Sequence, residues 1–278
     1  MKKYVIGVDL GGTKISTAIS TIEGNILANV VLPTKAEEGE AAVLGRIVQS
    51  IDEVIVGSST SIDEIEAIGI GSPGPLDAKK GIIITTPNLP FKNYNLVQPL
   101  KEKYNIPVYL DNDANAAAIG EYMFGAGKGK NSIVYFTVST GVGGGAVLDG
   151  KVYRGHTSNA LEIGHTTVDP NGPRCNCGNL GCLEAMSSGT AIAKKGKEAV
   201  STNVETSLKK HDTVTSYEVF KEAEAGDEVA KDIIDNALTY LGIGVANAIA
   251  TFDPEMIIIG GGVSKAGDIV FDTVKKVV

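Results

Sequence analysis

The chain has 278 residues, with 25 Lys and Arg against 33 Asp and Glu, so its formal net charge is −8. No long basic patch is visible, Trp is absent and aromatic residues make up 5%, a balance that argues against a general nucleic-acid binder. No apolar run approaches the ~18–20 residues of a membrane span, and the apolar stretch after Met1-Lys2-Lys3 is too short for a signal peptide and is interrupted by Asp9. The length allows two domains.

The elements follow one another in an α/β rhythm. Tyr4 to Asp9 reads as a buried strand, followed by the Gly11-Gly12 turn and a second strand over Ile15 to Ser20. Glu23-Gly24-Asn25 reads as a hairpin turn into a third strand ending near Leu32. Residues 40–56 carry Ala42, Val43, Ile47, Ile51, Val54 and Ile55 on one helical face. A strand returns at Ala67 to Gly71. Ser72 to Pro90 reads as a Gly/Pro-rich loop, and a short helix near 95–103 precedes a strand at Val108 to Leu110. An Ala-rich helix then starts at Asp111-Asn112-Asp113.

The plan restarts with a strand over Ser132 to Val138, a glycine turn over Ser139 to Gly145 and a strand over Ala146 to Leu148. Val5–Ile19 and Ile133–Leu148 thus form a weak internal repeat of strand, glycine turn and strand. Helices are expected near 187–199, 215–225 and 227–251, with a polar loop at 201–212. A last strand, Met256 to Ile259, runs into Gly260-Gly261-Gly262 and a helix. The alternation predicts an α/β class with mixed sheets.

Three glycine turns at strand ends are suited to anions, because glycine lets successive backbone N–H groups approach a phosphate. In the first, Thr13 and Lys14 add a hydroxyl and a cation, and Asp9 is placed to hold Mg²⁺ through water. The alternative is that these are simply tight hairpins. None has the Walker spacing or the Gly-x-Gly-x2-Gly of dinucleotide folds. Asp113 is a candidate proton acceptor at a helix N-terminus, where the dipole favours the ionised form; the alternative is that Asp111, Asn112 and Asp113 only cap the helix.

All three cysteines fall within eight residues, an odd, clustered set unlike a secreted disulfide framework. With His165 they give His-x9-Cys175-x-Cys177-x4-Cys182, a closed tetrahedral set for structural Zn²⁺. Free buried thiols are the alternative. His156 and His211 have no such company and read as structural.

Asp9–Lys14 (DLGGTK), Ser139–Gly145 (STGVGGG) and Gly260–Ser264 (GGGVS) resemble the two phosphate motifs and the adenosine motif of the actin, hexokinase and heat-shock ATPase superfamily. Together with Asn112-Asp113-Ala114-Asn115 and the span from Glu162 to Glu184, they resemble the ROK family of bacterial sugar kinases and sugar-responsive repressors over nearly the whole chain. The resemblance implies two actin-like, ribonuclease H-like α/β domains with mixed sheets flanking a cleft, here residues 1–124 and 125–278. It implies an ATP-dependent kinase acting on the 6-hydroxyl of a hexose, with ATP, Mg²⁺ and structural Zn²⁺.

Carried over by position, Asp113 is the catalytic base. Gly74, Asn88, Asn112, Glu162, His165 and Glu184 join it as sugar contacts. Asp9, Gly11, Gly12, Thr13, Lys14, Thr140, Gly141, Gly143, Gly261 and Gly262 hold the nucleotide, and His165, Cys175, Cys177 and Cys182 hold zinc. Glu162 with His165 resembles the glucose-using members; kinases of N-acetylmannosamine, N-acetylglucosamine or fructose are the alternatives. Asn159-Ala160-Leu161 stands where smaller residues are expected.

Repressors of the family carry an additional N-terminal DNA-binding domain, for which the phosphate motif at Asp9 is expected to leave no room. Family members usually run on beyond the helix in which this chain stops, so a truncated C-terminus is expected. A cytoplasmic setting, a homodimer or higher homo-oligomer, and no nucleic-acid or membrane partner complete the expectation.

Overall fold

The computed structural model describes residues 2–86 and 88–278. The chain divides into two compact units: residues 1–128 with 152–160, and residues 129–151 with 161–278. The excursion 152–160 belongs to the first unit although its neighbours on both sides belong to the second, which a single cut at 124/125 cannot express.

In the first unit, β1 (Tyr4–Leu10), β2 (Lys14–Thr21) and β3 (Ile26–Pro33) form an antiparallel meander. Helix α1 (Glu40–Gly57) follows, then β4 (Ile65–Ser72), which pairs parallel to β1. After β5 (Leu76–Asp77), β6 (Ile82–Thr85), β7 (Lys92–Asn95) and α2 (Val97–Tyr104), strand β8 (Val108–Asn112) adds parallel to β4 and leads into α3 (Asp113–Phe124). The main sheet order is β3-β2-β1-β4-β8. The segment read as a loop over 72–90 instead contains β5 and β6, which join β7 in a small antiparallel sheet. Its apolar anchors, Leu76, Ile83 and Phe91, are buried and seven and eight residues apart, too widely spaced for a periodicity reading.

Strand alternation sorts the main sheet into two faces. Ile6, Val8, Leu10, Ile15 and Ile19 point into the core with Val43, Ile47, Ile51 and Val54 of α1. On this face Thr17 and Ser50 share a buried hydroxyl–hydroxyl hydrogen bond of 2.7 Å, which satisfies both polar groups. The opposite face carries Gly7, Asp9, Ser16, Ala18 and Gly69, and along it small residues leave open space.

In the second unit, β9 (Ile133–Val138) and β10 (Val142–Leu148) are antiparallel, with β11 (Lys151–Val152) at the edge. The helices are α4 (Leu183–Ser187), α5 (Gly189–Val200), α6 (Ser216–Glu224) and α7 (Glu228–Phe252). Strand β12 (Met256–Gly260) pairs parallel to β9, and α8 (Asp268–Val277) follows. The order β11-β10-β9-β12 repeats the antiparallel pair plus parallel neighbour of β2-β1-β4, so the internal repeat is a repeat of topology.

Two details differ from the sequence reading. Residues 142–148 are all strand, so Gly143, Gly144 and Gly145 pair with Thr137, Phe136 and Tyr135, and the turn is confined to Ser139–Gly141. The glycines serve packing there: a Cβ on Gly144 would lie 2.3 Å from Ile163 Cδ1. Also, Gly262 leads into a 3-10 turn, Val263–Ala266, before the helix proper.

Helix α7 is 25 residues long, with a mean hydropathy of 1.3 over its most apolar 18-residue window, long and apolar enough to cross a membrane. The sequence expectation of no such stretch is therefore corrected. Its buried residues, Ala230, Ile234, Ala237, Leu238, Leu241, Val245 and Ala248, recur at helical spacing, and it packs against α4, α5, α6 and α8 as a core helix. The loop at 201–212 is also more ordered than its polarity suggests. Glu222 of α6, almost fully buried, accepts from Ser207 Oγ at 2.5 Å, Lys210 Nζ at 2.7 Å and His211 Nε2 at 2.9 Å.

Candidate active site

The first unit gathers the first glycine turn, Asp113 and two loops. The turn closes through Gly11 N–H donating to Lys14 O at 3.0 Å, and Thr34 Oγ1 donates to Gly11 O at 2.6 Å. A Cβ on Gly12 would lie 2.5 Å from Asn88 Cβ, so glycine here admits the loop that carries Asn88. Asn88 is exposed; Pro87 lies outside the described residues. Gly74 precedes a cis proline, Pro75. A Cβ placed on Gly74 would be 3.8 Å from Asn112 Nδ2 and 3.8 Å from Asn159 Oδ1.

Asn112 caps α3: its Oδ1 accepts from Ala114 N at 2.9 Å and Asn115 N at 3.2 Å. Capping and proton acceptance fall to different residues of this triplet. The capping belongs to Asn112, which keeps its Nδ2 for other partners, while Asp113 Oδ1 accepts from Ala114 N at 2.8 Å. Asp9 and Asp113 line one cavity of about 900 Å³, with Asp111, Lys79 and Arg154. Burial raises the Asp113 pKa above the usual carboxylate value, and the charge of Asp9 adds to this, while the Ala114 N–H opposes it. Burial likewise raises Asp9, opposed by Lys14. A carboxyl so tuned holds a proton more readily than an exposed Asp, as a base catalyst requires.

The second unit brings together the other two glycine turns and the Glu162–Glu184 span. Gly189 N–H donates to Ser139 O at 2.7 Å, and Thr190 N–H to Thr140 O at 3.4 Å. Gly261 has φ +93°, and a Cβ there would lie 2.4 Å from Val138 O; one on Gly262 would be 3.4 Å from Ser139 Oγ. A cavity of about 610 Å³ is lined by Thr140 and Gly262, and also by Thr190, Lys194, Lys197 and Ser216. Sequence reasoning missed these last four. The signal available was the Thr190, Lys194 and Lys197 spacing, which places three polar side chains on one face of a helix.

Glu184 Oε2 accepts from Val142 N at 3.0 Å, and a Cβ on Gly141 would meet that oxygen at 2.4 Å. Glu184 therefore buttresses the second glycine turn, a contact invisible at 42 residues' separation. Glu162 precedes and His165 ends a 3-10 turn, Ile163–His165, whose Gly164 approaches Val142 so closely that any side chain would collide with the Val142 carbonyl. Leu161, just before Glu162, is buried and holds φ +66°, a left-handed conformation that costs a non-glycine residue about 1–2 kcal/mol. The sequence reading expects smaller residues in this stretch; here the Leu161 backbone passes close to Gly144, whose absent Cβ would lie 2.9 Å from Leu161 O.

His165, Cys175, Cys177 and Cys182 converge, with their ligand atoms all within 4.8 Å of one another. Cys175 Sγ lies 3.7 Å from His165 Nδ1, and Cys177 Sγ 3.6 Å from Cys182 Sγ. A tetrahedral zinc with Zn–S of about 2.3 Å needs neighbouring sulfurs about 3.8 Å apart, so the donor set fits that ion. All three thiols are free. Burial pushes the Cys182 thiol up to about 12 and raises Cys175, whereas the Asn179 N–H lowers Cys177; a divalent cation supplies the charge that favours the thiolates.

The paired topology and glycine turns are those of the actin-like ATPase fold. The chain belongs to the ROK family, which it matches over residues 5–278. It is 39% identical over 279 residues to a glucokinase of Halalkalibacterium halodurans, covering 99% of this chain and 84% of that one. It is 40% identical over 280 residues to a glucokinase of Thermotoga maritima, covering 99% and 87%. A xylose repressor of Caldicellulosiruptor bescii is 33% identical over 277 residues, covering 99% of this chain and 69% of that one.

Among solved structures, the ROK hexokinase of Thermus thermophilus superposes with TM-score 0.84 at 36% identity, covering 99% of this chain and 88% of that one. The ROK glucokinase of Streptomyces griseus, in complex with glucose and AMPPNP, gives 0.81 at 33%, with the same coverage. A ROK transcriptional regulator, a homologue of the E. coli MLC protein, gives 0.88 at 28%, covering 99% and 69%. The fold is thus common to the family's enzymes and regulators, and site chemistry has to separate them.

Proposed function

We propose that this chain is an ATP-dependent hexose kinase that converts glucose to glucose 6-phosphate. The observation that carries the reading is the carboxylate pair: Asp113, whose Oδ1 accepts from Ala114 N, shares a cavity with Asp9 at the first glycine turn. That is the proton acceptor and the phosphate-side carboxylate a phosphoryl transfer needs. The likeness to glucokinases at 39% and 40% identity supports glucose over other hexoses.

In this reading Asn112, Gly74, Asn88, Glu162, His165 and Glu184 hold the sugar hydroxyls. Asp113 takes the proton of the 6-hydroxyl as its oxygen attacks the γ-phosphorus, and the bond to the ADP oxygen breaks. Backbone N–H groups of Gly12 and Gly141, with Thr13, Lys14 and Thr140, cradle the phosphates; Gly11, whose N–H closes the first turn, and Gly143, paired in β10, shape the turns without donating to the phosphates, and Gly261 and Gly262 lie against the adenosine. Asp9 would hold Mg²⁺ through water, where the ion supplies charge neutralisation on the phosphates. His165, Cys175, Cys177 and Cys182 would hold one structural Zn²⁺, ordering the loop that carries Glu184 and leaving His165 Nε2 for the sugar. ATP as substrate and thiolates as zinc ligands suit the cytoplasm, and a homodimer is the simplest assembly.

The test is ADP release over a panel of hexoses and N-acetylhexosamines with Mg-ATP. Turnover highest with glucose is expected. No turnover of any sugar, with sugar binding intact, would move the chain to the regulators.

A further inference from the structure

Three carboxylates, Asp9, Asp111 and Asp113, line one cavity of the first unit. Two of them have a place in the proposed reaction and Asp111 has none. Yet Asp111 is the best held of the three. Its Oδ2 accepts from Arg154 Nε at 2.7 Å and pairs with a second guanidinium nitrogen at 2.7 Å. Its Oδ1 accepts from Asn112 N at 2.9 Å and from Asn115 Nδ2 at 3.0 Å. Asn115 is buried, and its own Oδ1 has no partner among the described residues, so its orientation rests on the bond to Asp111. Asp111 therefore grips the first turn of α3 on both sides of Asp113.

Arg154 reaches this junction from the 152–160 segment, the stretch that returns to the first unit. The charged groups that line the cavity with Asp113 are Asp9 on β1, Lys79 after β5, Asp111 on β8 and Arg154, and Lys14 on β2 acts on Asp9. Among the described residues Arg154 is the one cation in ion-pair contact with any of the three carboxylates. An Asp111 without it would present a second like charge to Asp113, beside Asp9. A like charge disfavours the ionised form a base must adopt, and a guanidinium stays charged at any working pH.

We propose that Arg154 is a positioning residue for Asp113: by pairing with Asp111 it fixes the strand-to-helix junction and cancels a charge that would otherwise hold Asp113 protonated. The inference rests on the reading of Asp113 as the proton acceptor.

The test follows the ionisation of Asp113 directly, by carboxyl ¹³C shifts in Asp-labelled protein with Asp113→Asn assigning the resonance. The acid limb of kcat/KM for the sugar is measured in parallel. Arg154→Gln is expected to raise the titration of Asp113 by about 1 pH unit and to move the acid limb with it. Arg154→Lys, which keeps the charge, stays near the wild type. Adding Asp111→Asn to Arg154→Gln returns both to the wild-type position, since the amide still accepts from Asn112 and Asn115. If Arg154→Gln does not fold, Asp111→Asn alone serves: the unpaired guanidinium then lowers the Asp113 titration. An unchanged Asp113 titration in the folded variant overturns the proposal. A wild type that phosphorylates no sugar, with the titration shifting as stated, sinks the kinase reading and leaves the charge-cancelling role standing.

Discussion

Glu184 is assigned to the sugar by its motif, but its carboxylate is already engaged with the backbone N–H of Val142, at 3.0 Å. Removing it by Glu184→Ala should therefore damage nucleotide binding as well as sugar binding. A hydrogen bond to a charged group contributes about 1.5–3 kcal/mol. Each 1.4 kcal/mol is about a factor of ten in affinity, so the loss is about 10- to 150-fold, shared between the two substrates. Glu184→Gln separates the two roles, because its amide oxygen can still accept from Val142 N–H. The KM for ATP should then stay near the wild-type value while the KM for the sugar rises. Initial rates over a grid of sugar and ATP concentrations resolve both constants for each variant. An alanine variant that raises only the sugar KM, with the ATP KM unchanged, would refute the buttress.

Asp113→Asn should lower kcat by about 10²–10⁴ with sugar affinity retained by calorimetry, and the acid limb of the wild-type pH profile should lie above the usual carboxylate value because burial and Asp9 raise Asp113. Freshly purified protein should carry one zinc per chain by elemental analysis; Cys182→Ser should lose it and melt at lower temperature, since a structural zinc contributes folding energy outright. Glu222 is held down to about 2, chiefly by the Lys210 hydrogen bond and then by Ser207 and His211. A depressed folded-state pKa gives stability that is complete above the ordinary Glu value of 4.5 and is lost as the pH falls toward about 2. Melting temperatures across that window should fall more steeply for the wild type than for Glu222→Gln.

Much of this protein was legible in its residues because the signals were local. Glycine at strand ends, Asn112 one residue before Asp113, and three cysteines within eight positions each act over a few residues, and the four candidate metal ligands do converge. Alternation and helical spacing likewise gave β1, α1 and α7 nearly to the residue, because burial on one face imposes a period. Tertiary structure decided what depends on contacts between distant segments. The Val142–Glu184 bond spans 42 residues, the Asp111–Arg154 pair spans 43, and Glu222 collects three donors from a loop that looked merely polar. No pattern announces such pairs, since a single Arg or Glu reads as a solvated surface charge until the fold removes it from water. The sequence by itself thus determined which groups are available for the chemistry, and the tertiary structure decided which partners hold them and what charge surrounds them.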